Sequence, residues 1–159
     1  MANDAERYFV EKVGLNFEQL GFPRMAGRIF GWLLISDSAQ VSMNELMEAL
    51  QASKSSISSI TRMLINTDMI EQVAVPGDRR DYFRIRADAW TNALRDNLDK
   101  AVSFSRMAKD GLELLKEAPA DRKLRLLEMH SLFTFLEREI PMLIGRWEQE
   151  YKSLLDQNP

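Results

Sequence analysis

The sequence contains no cysteine and a single histidine, His130. Without cysteine the chain cannot form disulfides, thiolate zinc sites, iron–sulfur clusters or a thiol redox switch. One histidine argues against a histidine-rich metal site, so we predict neither a metal nor another cofactor. No apolar run approaches the roughly 18 residues that a membrane helix needs, and the polar, acidic N-terminus is unlike a signal peptide. We therefore expect a soluble protein of the cytoplasm.

Helix-breaking residues are also scarce, with seven glycines and five prolines in 159 residues. This scarcity predicts long helices with few interruptions, and the length favours one compact domain. The net charge is -3, from 21 basic and 24 acidic residues. Charge therefore does not indicate a general polyanion binder, and any nucleic-acid function must be argued from particular residues.

The spacing of apolar residues predicts a mainly helical chain. We expect helices over 4–20, 23–36, 43–50 and 53–66, a long helix from 88 that breaks at Ala118-Pro119, and a last helix kinked at Pro141. Two alternating segments, 70–75 and 82–86, predict strands joined by a turn at 76–81. Gly27 and Gly31 share one helix face, where we expect another backbone to pack closely.

The order helix, tight turn, helix, strand, basic turn and strand is typical of a winged helix-turn-helix. Ser42 and Glu45 are spaced to form a capping box on the first of these helices. The second helix directs Ile57, Ile60 and Leu64 inward and leaves a small polar face that suits a DNA major groove. The turn would carry basic side chains toward a minor groove or phosphates. The predicted DNA contacts are Lys54, Ser55, Ser56, Ser58, Ser59 and Arg62 on the helix, and Arg79 and Arg80 on the wing.

The last helix carries apolar residues every three or four positions over more than three heptads, and such a pattern needs a partner helix. We therefore predict a winged helix-turn-helix over 22–87 and a helical dimerisation region over 1–21 and 88–159, within one compact domain. The fold class is mainly α with a small β-hairpin wing. The dimer interface should be large and apolar, with its seam at Leu136, Ile140, Leu143 and Trp147.

Several segments resemble the MarR superfamily of transcriptional regulators over about residues 8–90. They are Ser53–Leu64, Met69-Ile70-Glu71 and Gly77–Phe83, while Gly21–Leu34 is similar to the GbsR-like branch. The resemblance implies a homodimer, usually a repressor, that binds double-stranded DNA at a pseudo-palindromic operator. It also assigns the major-groove role to the 53–66 helix and the minor-groove role to the wing.

One position departs from this resemblance. Such sequences usually place glycine four residues after the leucine that ends the recognition helix, and here that residue is Asp68. Aspartate tolerates the left-handed conformation better than most residues, so we expect the turn to form at modest cost.

The resemblance also implies a small-molecule effector, whose identity stays open. Choline-like cations could bind over aromatic faces, but every aromatic side chain lies on a stripe that a hydrophobic core also explains. An acidic effector could instead use Arg24 or Arg28, although surface or phosphate-contacting arginines explain these residues better.

The residues argue against two other functions to different degrees. Catalysis is not indicated, because the sequence has neither a glycine-rich phosphate loop nor an H-E-x-x-H motif, and His130 lies beside apolar residues of a helix. A winged helix used for protein interaction or dimerisation without DNA is the serious alternative. Such a surface should carry leucine, methionine or aromatic residues on the 53–66 helix, where this sequence has serine, lysine and arginine.

Overall fold

The computed structural model describes residues 3–157, with the side chains of 3–95 and 98–156. Within this stretch the chain is helical apart from one small sheet, as predicted. The elements are α1 (Asp4–Gln19), α2 (Arg24–Ile35), β1 (Val41–Ser42), α3 (Met43–Leu50), α4 (Lys54–Asn66), β2 (Ile70–Val73), β3 (Tyr82–Ile85), α5 (Ala89–Leu114) and α6 (Ala120–Gln157). None of the helices in the described part of the chain is long and apolar enough to cross a membrane.

The chain divides into two compact units, residues 1–90 and residues 91–159. The first unit contains α1 to β3 and the first residues of α5. The second unit contains the rest of α5 and all of α6.

The sheet of the first unit has three antiparallel strands in the order β1-β3-β2. Val41 pairs with Phe83 across β1 and β3, and Val73 pairs with Tyr82 across β2 and β3. This register turns Phe83 inward, where it is 2 % exposed. It also projects residues 74–81 beyond the paired strands as the tip of the wing.

The core of the first unit is built from α2, α3 and α4. Ile57 and Leu64 of α4 are fully buried, and Ile60 packs half-buried against the same cluster, as predicted. Burying one such side chain contributes about 1.5–3 kcal/mol. The apolar edge of α4 therefore packs on the core, and the opposite edge of the helix faces solvent. The other large apolar side chains that are fully buried in this unit include Ile29, Phe30, Val41, Leu46, Leu50 and Ile70.

Glycines bring α1 and α2 into direct backbone contact, which confirms the expected close packing. A Cβ atom on Gly27 would lie 2.6 Å from the Val13 carbonyl oxygen and 2.8 Å from the Gly14 Cα. A Cβ atom on Gly31 would lie 3.0 Å from the Val13 Cβ. We call these contacts of Gly14, Gly27 and Gly31 the glycine seam.

Gly27→Ala should destabilise the protein by about 1–3 kcal/mol, because the added methyl group meets backbone atoms that cannot move independently of α1. Urea unfolding followed by circular dichroism measures this change. Gly145→Ala in α6 is the matched control, since a Cβ atom there meets nothing within 4 Å. It should stabilise by about 0.5–1 kcal/mol through helix propensity. Equal stability of the two variants would contradict the seam.

The second unit is an antiparallel helical hairpin. Arg95 near the start of α5 pairs with Glu148 late in α6, with the Arg95 Nη2 and Glu148 Oε1 atoms 2.9 Å apart. Further along α5, the Phe104 and Phe133 rings stack with centroids 5.0 Å apart. The described part of α6 continues as a helix on both sides of Pro141.

Candidate nucleic-acid interface

A capped helix and a tight turn position α4. The Ser42 hydroxyl accepts a hydrogen bond from the Glu45 amide at 3.3 Å, and the Ser42 amide donates to the Glu45 carboxylate at 2.7 Å. This is the predicted capping box, and its hydrogen bonds to Ser42 hold the pKa of Glu45 below its ordinary value. At the other end of α3, Gln51 adopts the left-handed conformation with φ of 50°. The chain therefore reverses within Gln51 to Ser53 before α4 begins.

The outer face of α4 carries the side chains predicted to meet DNA. Lys54, Ser55, Ser59 and Arg62 are exposed, whereas Ser56 and Ser58 are half-buried. Ser55, Ser59 and Arg62 recur every three or four residues, so they form one stripe along the helix. At its start the Ser53 hydroxyl accepts from the Ser56 amide at 3.3 Å and lies 3.0 Å from the Ser55 hydroxyl.

Asp68 makes the turn from α4 into β2 in the left-handed conformation that the sequence predicted, with φ of 55°. Its Oδ1 accepts a hydrogen bond from Arg86 Nη1 at 2.7 Å. The Met69 amide donates to the Leu64 carbonyl at 3.0 Å, which closes the helix end. Aspartate lacks the conformational freedom of glycine at this turn, and the ion pair with Arg86 stabilises its left-handed conformation.

The two arginines of the wing have different roles in the structure. Arg80 is held within the wing: its Nε donates to Asp78 Oδ2 at 2.8 Å, and its guanidinium lies 5.3 Å from the centre of the Tyr82 ring. The Tyr82 hydroxyl donates to the same Asp78 oxygen at 2.9 Å. We call Asp78, Arg80 and Tyr82 the wing lock. The sequence predicted the same role for Arg79 and Arg80, and the position of Asp78 two residues before Arg80 is the signal that distinguishes them.

The contacts within the wing lock shift the pKa of each of its three side chains. Hydrogen bonds from Arg80 hold the pKa of Asp78 well below its usual range. Hydrogen bonding to Asp78 raises the pKa of Arg80, while desolvation and the hydrogen bond to Asp78 raise the pKa of Tyr82. These contacts therefore further stabilise the ionised carboxylate, the guanidinium and the neutral phenol.

Other basic residues of the wing strands are also paired. Arg84 contacts Glu71 at 2.7 Å, and Arg86 contacts both Asp68 and Asp88. By contrast, no ion pair or side-chain hydrogen bond to another described residue is found for Lys54, Arg62 or Arg79. We call these three the open cations. They are available to phosphate or base edges without the breaking of an existing pair.

The second unit exposes an apolar surface on α6. Leu143 is 50 % exposed and Trp147 is 45 % exposed, whereas Leu136 and Ile140 are half-buried. The Trp147 and Tyr151 rings stack at 5.1 Å with an interplanar angle of 7°. Other exposed apolar side chains of α6 are Leu124, Leu127, Leu132, Phe135, Met142, Leu154 and Leu155. So large an apolar area on one helix is typical of a surface that binds a partner.

Comparisons with known proteins agree with this arrangement. A profile described as MarR family matches residues 20–81, and one described as MmpR5-like MarR family transcriptional regulator matches residues 88–150. The HTH-type transcriptional regulator MmpR5 of Mycobacterium tuberculosis (strain ATCC 25618 / H37Rv) is 41 % identical over 141 residues, which cover 89 % of this chain and 86 % of that protein. The chain belongs to the MarR family of transcriptional regulators.

Two further relatives of this MarR-family chain extend the comparison. The HTH-type transcriptional repressor OpcR of Bacillus subtilis (strain 168) is 30 % identical over 106 residues, covering 65 % of this chain and 57 % of that protein. A crystal structure of a transcriptional regulator superposes with a TM-score of 0.74 at 40 % identity, covering 91 % of this chain and 99 % of the other. These similarities establish the winged helix-turn-helix fold of the MarR family. They also establish that the chain is a transcriptional regulator and not an enzyme.

Proposed function

We propose that this MarR-family regulator binds an operator in double-stranded DNA as a homodimer, represses transcription there, and is modulated by a small-molecule effector. In this proposal α4 enters the major groove and the wing reaches the adjacent minor groove. Its target is chromosomal DNA, so we place it in the cytoplasm. The resemblance of Gly21–Leu34 further supports assignment to the GbsR-like branch. The relative OpcR is named a repressor, which supports the proposed sign of regulation.

The observation that carries this proposal is the set of open cations on an otherwise small and polar surface. Lys54 and Arg62 lie on the exposed side of α4, and Arg79 lies at the wing tip. Phosphate contacts from lysine and arginine fix a protein on DNA, and arginine can also read guanine through two hydrogen bonds. The exposed serines leave room for the helix in the groove and offer further donors.

The alternative is a winged helix that binds only proteins, and the exposed surface of α4 and the wing disfavours it. Every large apolar side chain from residue 35 to residue 89 is at least partly buried. The core of a protein–protein interface is depleted of charge and enriched in aromatic residues and methionine. The apolar surface of α6 fits a partner better, and we assign it to a second copy of the chain.

Fluorescence anisotropy tests the function. The protein is titrated onto a labelled duplex from the region upstream of its own gene and onto a scrambled duplex of the same composition, at several salt concentrations. We expect tighter binding to the natural duplex, with log affinity falling linearly in log salt. Operators elsewhere are sought in parallel by selection from random duplexes. Failure to bind or enrich any DNA, even at low salt, would overturn the proposal in favour of the protein-interaction module.

The wing lock supports a second measurement on the same duplex. Asp78→Asn removes one negative charge, so simple electrostatics predicts tighter binding. We expect the opposite for operator DNA, a loss of about 3–10-fold. Asparagine keeps one acceptor oxygen, so it cannot accept from the Arg80 amide, the Arg80 side chain and the Tyr82 hydroxyl as the two oxygens of Asp78 do. Asp37→Asn, in the exposed loop after α2, removes the same charge without touching the wing. Tighter operator binding by both variants would show that only net charge matters here.

A further inference from the structure

Arg86 lies where three segments of the first unit meet. It follows directly after β3, and its amide donates to the Met69 carbonyl at 3.2 Å, next to the turn that ends α4. Its own carbonyl accepts from the Ala89 amide at 3.2 Å, where α5 begins. The backbone of this one residue therefore connects the segment after α4 to the first turn of α5.

The Arg86 side chain joins the same two segments. Its Nη1 donates to Asp68 Oδ1 at 2.7 Å, while its Nε and Nη2 donate to the two carboxylate oxygens of Asp88 at 3.0 Å and 3.2 Å. Asp68 is the turn residue after α4, and Asp88 directly precedes α5. We call Asp68, Arg86 and Asp88 the junction clamp. Two parallel hydrogen bonds to one carboxylate fix the plane of a guanidinium, so the contact with Asp68 has a defined direction.

The junction clamp is poorly suited to bind DNA directly. Each of the three nitrogen atoms of the Arg86 guanidinium donates to a carboxylate, and hydrogen bonding to Asp88 raises the pKa of Arg86. Two carboxylates against one guanidinium leave a net negative charge, which repels phosphate. Arg86 therefore differs from the open cations, although it lies on a strand of the same wing.

Global stability does not explain the junction clamp either. The side chains of Arg86, Asp88 and Asp68 are 34 %, 47 % and 56 % exposed, and exposed ion pairs contribute little to the free energy of unfolding. Glycine would adopt the left-handed turn at position 68 without strain. Aspartate is the costlier residue for the backbone there, and what it supplies is the carboxylate that Arg86 binds.

Both ends of the junction clamp are attached to the core of the first unit. Leu64, in the last turn of α4, is fully buried. At the start of α5, Ala89 is 1 % exposed, and the Trp90 ring meets the Phe30 ring edge-on with centroids 5.3 Å apart. From this turn α5 continues into the second unit, which carries the apolar surface assigned to a second copy of the chain. The clamp therefore limits rotation of α4 against the start of the helix that leads to that surface.

We infer that Arg86 is a positioning residue for operator recognition. By joining the end of α4 to the start of α5, it limits the range of distances and angles between the two α4 helices of the homodimer. It thereby restricts the spacing of operator half-sites that the dimer accepts. The inference rests on the proposed homodimer, and only its second step, the operator spacing, requires DNA binding.

Distances between the two copies test the first step. The sequence contains no cysteine, so Ser59→Cys on the exposed face of α4 creates one spin-label site per chain. Double electron–electron resonance on the DNA-free dimer measures the distribution of distances between the two labels. We expect a narrow distribution for the chain with an intact clamp. After Asp68→Gly or Arg86→Ala it should be about twofold broader or more, because the junction then acts as a hinge.

Arg84→Ala is the matched control. It breaks the exposed ion pair of Arg84 with Glu71 on the same two strands, outside the junction clamp. This variant should leave the distance distribution unchanged. Equal widths for all the proteins, or equal broadening by Arg84→Ala, would overturn the inference. Absence of a dipolar signal from the chain with an intact clamp would overturn the homodimer and the inference with it.

Asp68→Gly separates positioning from stability. Glycine suits the left-handed turn, so the thermal unfolding midpoint should stay the same or rise although the clamp has lost one side. A purely structural role predicts that this variant then gives the same narrow distribution as the chain with an intact clamp. Adding Asp68→Gly to Arg86→Ala should cause no further broadening, because the two changes remove the same contact. Independent, additive broadening would contradict the clamp.

Operator spacing tests the second step. An operator identified as described above is compared with duplexes that have one base pair inserted or removed between the half-sites, which displaces one half-site by about 3.4 Å and rotates it by roughly 35°. The unaltered chain and Arg84→Ala should bind both altered duplexes about tenfold more weakly or worse, whereas Asp68→Gly and Arg86→Ala should discriminate about threefold or less. The slope of log affinity against log salt should be the same for all four, because no phosphate contact is lost.

The outcomes distinguish this inference from the proposed function. Equal spacing discrimination by all four proteins would overturn the role of Arg86 in operator recognition while DNA binding stands. A shallower salt dependence of Arg86→Ala alone would show a direct phosphate contact and would also overturn it. Failure of the unaltered chain to bind any duplex would overturn the proposed function, and the measured distances would still decide whether Arg86 positions α4.

Discussion

Arg62→Ala combined with Arg79→Ala should abolish selective binding of operator DNA. Each arginine is an open cation, so neither replacement breaks an ion pair among the residues that the structure describes. Loss of one well-placed arginine contact costs about 1–3 kcal/mol, and contacts on α4 and on the wing are far enough apart to add approximately. We therefore expect an affinity loss of about 10²–10⁴-fold, with a shallower dependence on salt. Anisotropy on operator and scrambled duplexes measures both quantities.

The matched control for this variant is Lys12→Ala combined with Arg106→Ala. Both residues are exposed and lie outside α4 and the wing, so the control loses the same charge. It should retain operator binding within a few fold, because long-range electrostatics is screened at physiological salt. If the two double variants bind operator equally, net charge and not the open cations determines affinity.

Leu143→Glu should convert the protein to monomers. Leu143 is half-exposed in the described chain, so the folded monomer tolerates the carboxylate. In a two-fold dimer the same patch meets itself, so each interface contains the substitution twice. Leaving a charge buried without a partner costs about 3–5 kcal/mol, which predicts a rise in the dimer Kd of at least 10³-fold. Sedimentation velocity over a range of concentrations measures this rise, and the monomers should bind operator weakly.

Leu114→Glu is the control for the dimer experiment. Leu114 is 85 % exposed at the end of α5, near residues 111 and 126 that face each other at the far end of the hairpin from Leu143. The same chemical change there should leave the sedimentation coefficient unchanged. A dimeric Leu143→Glu protein, or dissociation of both variants alike, would place the interface elsewhere on the chain.

Signals confined to a few consecutive residues were sufficient to predict much of the fold. Ser42 and Glu45 form their capping box because both hydrogen bonds close within one helical turn. The periodicity of α4 determined its buried edge for a similar reason, since every third or fourth side chain lies on one face. The left-handed conformation of Asp68 was predictable because backbone sterics depend on the residue itself.

The side-chain pairing of the basic residues in the wing was not predicted from the sequence. Arg79 and Arg80 are adjacent residues of the same type, and the folded turn places Asp78 and Tyr82 around Arg80. The open character of Arg62 likewise depends on which acidic side chains lie nearby in space. The helix face and the turn proposed to bind DNA were therefore recognisable from the sequence, whereas the different availability of the cations within them was not.

The pairing of Arg24 and Arg28 illustrates the same limit over longer distances. The sequence offered Arg24 and Arg28 as candidates to bind an acidic effector because they lie one helical turn apart. Their pairing with Glu11, thirteen and seventeen positions earlier in the chain, removes them from that role.

The glycine seam also determines which truncated fragments of this regulator can keep the fold. Residues 22–87 contain the whole helix-turn-helix and wing, so they would be a natural choice for a minimal fragment. Yet α2 presents Gly27 and Gly31, which have no side chains of their own, and α1 supplies Val13 and Phe17 to cover them. Removing α1 would leave exposed helical backbone and an unfilled space beside Phe30, whose ring lies 5.4 Å from that of Phe17. The smallest fragment that preserves the proposed DNA-binding surface therefore begins at α1, and fusion partners belong before Asp4.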